Sequence, residues 1–304
     1  MKTIIVIDTK LVFYYQQQRH KHPLNCITDI ADKVASNIPQ DIDKVVWVRD
    51  FGKSKRVKSF PQYKAHRKEM LDKKTKAEKA RQEIFEGIYK STPDFLRNFG
   101  DVISIPGYEA DDLASIIAHR FSSQEDIQVV LVSSDEDWAR FLYTDNIALL
   151  HYGRNTMIYR RDVEKVFGVP TDHKLFVDSL TGVRKENVDG LVKLGKGRIS
   201  TLLKELDYDH DKVIETLDRW CEVHKYGARL PEWATCVQNV LARNMRIFTP
   251  FTIYDFTTQE NLTFNASWSS KTKATRQDIL LQSLRDFSVA IQITPNISRI
   301  YKIS

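Results

Sequence analysis

Three short apolar runs, each closed by an aspartate, constrain this chain more than any other feature. Thr3-Ile4-Ile5-Val6-Ile7 leads into Asp8, Val45-Val46-Trp47-Val48 is followed by Asp50, and Val129-Val130-Leu131-Val132 by Asp135. A strand with one face in water alternates apolar with polar residues. Runs that are apolar throughout are covered on both faces, as in a parallel sheet between layers of helices. A fourth strand is expected over 102–105, and helical patterns lie between the strands at 27–38, 76–99 and 110–121. Strands alternating with helices specify an α/β domain. Ligands of such sheets bind beyond the carboxyl ends of the strands, where these aspartates fall.

From about Arg161 apolar residues recur at helical spacing, over 162–167, 173–180, 199–206 and 211–224, with a glycine-rich break at 190–197. The tail from Thr249 carries only weak strand signals, around 251–256. We therefore divide the chain into an α/β core over 1–160 and a helical region over 161–304. Cys26, Cys221 and Cys236 are odd in number and lack metal-ligand spacing, so reduced thiols in a cytoplasmic protein are expected. No apolar run reaches the length of a membrane span. The opening segment, broken by Asp8, reads as a buried strand and not as a signal peptide. The eight histidines show no zinc-ligand spacing, and Trp220 and Trp233 read as core aromatics.

The net charge of +6 is unevenly spread. Residues 49–81 hold thirteen Lys or Arg against four Asp or Glu, so this block is more positive than the whole chain and the rest is slightly acidic. A basic block beside acidic clusters indicates a polyanion partner held next to a metal site. A solvated basic helix would give the same count, so the block gains its meaning from its neighbours.

Those neighbours are carboxylates. Asp137 follows Asp135 by two residues, and Glu109, Asp111 and Asp112 lie within Gly107-Tyr108-Glu109-Ala110-Asp111-Asp112-Leu113. If a helix starts near Glu109, that residue and Asp112 share one face of its first turn while Asp111 points elsewhere. A single strand-end aspartate is most often a cap or turn residue. Seven carboxylates at one sheet edge would repel one another unless cations were present. Mg²⁺ or Mn²⁺ resolves that conflict and also binds substrate phosphate.

The order of these motifs resembles the 5′ nucleases, the family of the bacteriophage flap endonucleases and the 5′-nuclease domain of bacterial DNA polymerase I. The likeness runs from Met1 to about Leu206. It rests on Ile7-Asp8, Arg49-Asp50 with the basic stretch, Pro61-Gln62-Tyr63-Lys64-Ala65-His66-Arg67, Tyr108-Glu109-Ala110-Asp111-Asp112, Ser133-Ser134-Asp135-Glu136-Asp137-Trp138 and the glycine-rich segment. The resemblance implies an α/β, PIN-like nuclease core with a parallel sheet, a helical arch over about 51–90, and a helix–hairpin–helix-type region behind it. It gives Asp8, Asp50, Glu109, Asp111, Asp112, Asp135 and Asp137 as metal-binding carboxylates, and Lys64 and Arg67 as catalytic cations near the scissile phosphate. It makes Tyr63 a base-stacking residue and 68–81 a basic helix of the arch, with Lys53, Lys68, Lys73 and Lys74 as DNA contacts. Gly195, Lys196, Gly197 and Arg198 would bind phosphate at the hairpin, around a K⁺ ion.

One departure stands out. Where the family carries Gly-Asp-x-x-Asp-Asn, this chain has Gly182-Val183-Arg184-Lys185-Glu186-Asn187. Val183 ligates nothing, and Glu186 keeps the charge on a longer arm, with Asp178 and Asp189 as nearby substitutes. One metal site is therefore expected around Asp50, Glu109, Asp112 and Asp135, with a second left open. The expected function is a monomeric, Mg²⁺- or Mn²⁺-dependent 5′ nuclease in the cytoplasm of a bacterium or phage-infected host. It would act on DNA 5′ flaps, 5′ ends or RNA primers in replication, alongside replication proteins. The alternatives are a structure-specific DNA-binding paralogue with lost catalysis, argued from Val183, and a PIN-like ribonuclease.

Overall fold

The computed structural model describes residues 1–19, 25–191, 194–223 and 236–268. In chain order its elements are β1 (Lys2–Asp8), α1 (Thr9–Gln18), α2 (Cys26–Asn37), β2 (Lys44–Val48), α3 (Arg56–Ser59), α4 (His66–Asp72), α5 (Lys76–Ser91), α6 (Pro93–Leu96), β3 (Asp101–Ile103), α7 (Ala110–Phe121), β4 (Ile127–Ser133), β5 (Ile147–His151) and β6 (Thr156–Tyr159). There follow α8 (Val163–Phe167), α9 (Thr171–Thr181), β7 (Gly182–Val183), β8 (Val188–Asp189), α10 (Lys196–Glu205), α11 (His210–Val223), α12 (Val237–Phe248) and α13 (Thr258–Trp268). Among the described residues no helix is long and apolar enough to cross a membrane.

Contacts divide the chain into two compact units. The first comprises 1–54, 74–160 and the segment after 250, and the second 55–73 with 161–250. These limits differ from a single cut at 160. The segment 55–73 belongs with the later residues because Arg56 is buried there, its Nε donating to the carbonyl of Ile247 at 2.7 Å. The chain returns to the first unit after 250, where Tyr108 donates its hydroxyl to the carbonyl of Asp255 at 2.9 Å and packs edge-on against Phe251 and Phe256.

The first unit is built on a sheet of order β3-β2-β1-β4-β5-β6, parallel except for β6. In β1 every residue from Thr3 to Asp8 is buried, as the unbroken apolar run requires. Ile5, Ile7, Val45, Trp47, Val130 and Val132 face a core shared with α1, α2, α5 and α6. The alternate positions point to the other face, where α7 packs on β1, β2 and β4. Fully burying each such side chain contributes roughly 1.5–3 kcal/mol. The strand order reverses between β1 and β4, which opens a crevice at their carboxyl ends, the usual ligand position in such sheets.

Several elements depart from the sequence reading. The helix expected over 76–99 ends at Ser91, and α6 restarts at Pro93, whose missing N–H cannot continue the ladder. The basic helix expected over 68–81 is two helices, because Thr75 and Glu78 form a reciprocal capping box that starts α5 afresh. Residues 251–256 form no strand, and a 3-10 turn occupies Ile253–Asp255. Helices α1 and α12 and strands β5 and β6 were not anticipated.

In the second unit α9, α10, α11 and α12 close a separate apolar core around Val177, Leu180, Ile199, Leu203, Val213 and Val240. Between α9 and α10 the antiparallel pair β7–β8 brings Gly182 against Gly190. A Cβ on Gly190 would lie 2.0 Å from the carbonyl carbon of Thr181, so only glycine fits.

Candidate active site

Asp8, Asp50 and Asp135 stand at the crevice, each with an oxygen on a backbone N–H there. Asp8 ends β1 and caps α1, its Oδ1 accepting from the Leu11 N–H at 3.2 Å, while its Oδ2 accepts from Ser133 Oγ at 3.2 Å. Ser133 Oγ in turn accepts from the Asp135 N–H, and Asp135 Oδ1 from the Asp137 N–H, both at 3.0 Å. Asp50 Oδ1 accepts from the Ala110 N–H at 2.8 Å, which ties the end of β2 to the start of α7. Capping and site-building are thus one arrangement: the backbone donors orient the carboxylates.

Burial pushes the Asp8 carboxyl up to about 7, and the nearby charges of Asp50 and Asp135 push the same way. Asp8 at the end of β1 therefore lies within electrostatic reach of aspartates that follow β2 and β4.

The α7 string behaves differently. Glu109 and Asp112 do share one face, but as a reciprocal capping box of their own helix. Asp112 is fully buried, its Oδ2 accepting from the Glu109 N–H and its Oδ1 from the Phe251 N–H, each at 3.0 Å. Both of its oxygens are thus held by backbone donors, which fixes its orientation at the start of α7. Asp111 points another way, as expected, and its Oδ1 accepts from Trp138 Nε1 at 2.7 Å. Asp137 lies buried in the 3-10 turn after Asp135.

Two cations at this edge escaped the sequence reading. Lys10 reaches from the first turn of α1 to 3.9 Å from both Asp50 and Glu86. Arg49 is buried and donates to the carbonyl of Tyr89 while stacking over that ring at 4.3 Å. Lys10 becomes legible only once a helix is known to start at Thr9, which turns its side chain toward Asp50 and Glu86.

In the second unit Lys64 and Arg67 are brought together, and Glu186 with them. Glu186 Oε2 lies 3.2 Å from Lys64 Nζ and Oε1 lies 3.2 Å from Arg67 Nη2. Asp178, named as a substitute ligand, is buried between Lys174 at 3.2 Å and Lys196 at 3.0 Å. Val183 packs beside Tyr63, Val188 and Phe248, so its apolar character serves this small core. Tyr63 is 7% exposed in that cluster. The expectation of base stacking there gives way to packing, with the Lys64 ammonium 4.7 Å over the ring. Lys53 and Lys73 are exposed, Lys74 is half-buried with its ammonium on Gln82, and Lys68 lies in α4 with its side chain outside those described.

At the hairpin, Gly195 caps α10, and among the described residues a Cβ on Gly195 or Gly197 would meet nothing within 4 Å. Arg198 stacks 5.3 Å over Trp220, which at 36% exposure is a surface platform and not the core aromatic expected. The K⁺ expectation falls on a segment whose Val192 and Lys193 lie outside the described residues, as does Trp233.

The side chains at this edge that could ligate an ion are carboxylates, which suits a hard divalent cation. Among the described residues no three His, Cys, Asp or Glu side chains converge to grip an ion directly. Mg²⁺ does not require that, since it is commonly held by one or two carboxylates and keeps several of its waters.

The family described as "5′-3′ exonuclease, N-terminal resolvase-like domain" matches residues 3–168. The flap endonuclease of Escherichia phage T5 is 23% identical over 265 residues, covering 84% of this chain and 84% of that one. The thermostable DNA polymerase I of Thermus filiformis is 30% identical over 115 residues, covering 34% of this chain but only 13% of the polymerase. Solved structures of the phage T5 enzyme, one with zinc and one with DNA and metal ions, superpose with TM-scores of 0.64 and 0.60 at 22% and 20% identity. Each covers 94% of this chain and 98% of that one.

Proposed function

Because the chain belongs to the 5′-3′ exonuclease family, we propose that it is a structure-specific 5′ nuclease that hydrolyses phosphodiester bonds at DNA flaps and 5′ ends with Mg²⁺ or Mn²⁺. The observation that carries the reading is the grouping of Asp8, Asp50 and Asp135 at the switch point of the sheet, with Asp8 held up to about 7 by burial and by its two neighbours. Such a cluster favours a divalent cation over three separate charges.

In this reading an ion would sit among Asp8, Asp50 and Asp135, held directly by one or two of these carboxylates and through water by the rest, with Asp111 and Asp137 alongside. When bound, the ion acidifies water and offsets charge on the phosphate. Ser133 and the N–H groups of Leu11, Ala110 and Asp137 fix the carboxylates before any ion arrives. Asp112 and Glu109 keep the start of α7 in place beneath them. Within the second unit Lys64 and Arg67 supply a cationic contact for backbone phosphate. Gly195, Lys196, Gly197 and Arg198 contact duplex phosphates through the start of α10. Lys53, Lys73 and Lys74 add attraction for the strand. Flap removal and primer removal in replication both fit this chemistry, and the phage T5 enzyme, similar along 84% of the chain, supports the flap.

The test is a 5′-labelled flap incubated with the protein across a titration of Mg²⁺ and of Mn²⁺, with an RNA flap alongside. Metal-dependent release of the 5′ segment from DNA is expected. A flap that binds but yields no product at any metal concentration would refute the reading, and faster cleavage of RNA would replace the substrate.

A further inference from the structure

Glu186 lies between Lys64 and Arg67, within ion-pair distance of both. Its Oε1 accepts a hydrogen bond from Arg67 Nη2 at 3.2 Å, its Oε2 lies 3.2 Å from the Lys64 ammonium as an ion pair, and its side chain is 13% exposed while that of Arg67 is 52% exposed. A carboxylate bridging a lysine and an arginine presents what a phosphodiester presents: two anionic oxygens on one centre. The loops that carry these groups are joined independently of charge. The Lys64 N–H donates to the Glu186 carbonyl at 2.8 Å, and Asn187 Nδ2 donates to the Gln62 carbonyl at 2.8 Å. Both Lys64 and Asn187 adopt a left-handed φ of 57° at this seam.

We infer that Glu186 is a specificity-determining residue: it holds Lys64 and Arg67 as an internal stand-in for phosphate, and DNA must displace it to engage them. This rests on the nuclease reading. A DNA backbone brushing the surface must compete with an anion already in place, whereas a flap or 5′ end, anchored elsewhere, delivers its phosphate at high local concentration. The paired state carries one net positive charge, and the unpaired cations carry two. Glu186 thus lowers non-specific affinity and widens the gap between correct and incorrect substrates.

The experiment measures binding of a 5′-flap and of a plain duplex by fluorescence anisotropy, without divalent metal, across a salt series. Glu186→Gln keeps the shape and the backbone seam while removing the charge. It is expected to bind plain duplex about two- to fivefold more tightly, to steepen the slope of log affinity against log salt by about one, and to shrink the preference for flap over duplex. Adding Lys64→Met to Glu186→Gln restores one net charge and should return the slope to that of the unmodified protein. Zero-length carbodiimide coupling needs no variant: a Lys64–Glu186 cross-link should form in the free protein and be suppressed by saturating flap DNA.

Failure of the unmodified protein to bind flap DNA would sink the nuclease reading itself. Normal flap binding with an unchanged slope in Glu186→Gln, or a cross-link that persists on DNA, would overturn only this inference. So would Glu186→Gln abolishing cleavage with binding unaltered, which would make Glu186 part of the chemistry.

Discussion

Ser133 Oγ donates a hydrogen bond to Asp8 Oδ2 at 3.2 Å, joining the ends of β4 and β1 where the strand order of the sheet reverses. The same oxygen of Ser133 accepts the Asp135 N–H. One hydroxyl therefore sets the spacing of two carboxylates whose chain positions are 127 residues apart.

Asp8 rises from 3.8 to about 7 on folding. Between those values the folded protein holds a proton that the unfolded chain has released. Stability therefore falls as pH rises through this window, and the cost is fully present above pH 7. Asp8→Asn should melt higher than the unmodified protein at pH 8 in chelator, with the advantage shrinking toward pH 4. Mg²⁺ should stabilise the unmodified protein more at pH 8 than at pH 6. Calorimetry checks both, and equal melting temperatures at pH 8 would contradict the assignment.

Asp135→Ala or Asp111→Ala should lower single-turnover cleavage of a labelled flap by about two orders of magnitude or more, the scale of several kcal/mol of lost charge stabilisation. Flap affinity in the absence of metal should stay within about threefold, because neither residue is a phosphate-contacting cation. Undiminished cleavage in both variants would remove them from the site.

Lys10 stands 3.9 Å from Asp50, where it competes with any divalent ion for that carboxylate. Lys10→Met should tighten metal binding by roughly two- to fivefold, the range of a partly exposed ion pair. Isothermal titration with Mn²⁺ measures it. Weaker Mn²⁺ binding would mean that Lys10 organises the site and does not compete for it.

Gly190→Ala should destabilise the protein by about 2 kcal/mol or more, because a methyl group there meets backbone that cannot retreat. The clash is with Thr181 and with the Gly182 nitrogen at 2.2 Å. Gly195→Ala meets nothing within 4 Å and should cost far less. Urea melts of the two variants decide the point, and equal midpoints would show that the seam between β7 and β8 yields.

His173 Nδ1 and His210 Nε2 share a hydrogen bond at 2.9 Å, and His210 is stacked on Phe176. Burial, and then the neighbouring His173, hold His210 below its usual 6.5. Below pH 6.5 the unfolded chain takes up a proton that folded His210 resists, so stability is lost as pH falls through and below that value. His210→Gln should show a flatter dependence of melting temperature on pH between 7 and 5. An unchanged slope would exclude the pair as the cause.

The parallel sheet and the strand-end aspartates were legible in the sequence because they depend on local chemistry. An unbroken apolar run has to be covered on both faces, and a carboxylate at its end has to lie at the sheet edge. The start of α7 at Ala110 and the separation of Asp111 from Glu109 and Asp112 followed from helical geometry in the same way. The antiparallel β6 and helix α12 were missed because their short or mixed patterns take meaning only from the surfaces they pack against. The break between α4 and α5 lay in Thr75 and Glu78, a capping signal hidden inside a basic run.

What the sequence determined by itself is the class of the chain, its acidic sheet edge and its basic block, since these follow from residue type and spacing along a few turns of backbone. Only the tertiary structure decided which charges meet. Asp112 is committed to the backbone of Glu109 and Phe251, Lys10 turns toward Asp50, and Glu186 closes on Lys64 and Arg67. The physical reason is range. Hydrophobic period and helix capping act over a few residues, whereas an ion pair between residues 64 and 186 exists only once 122 positions of chain have folded back on themselves.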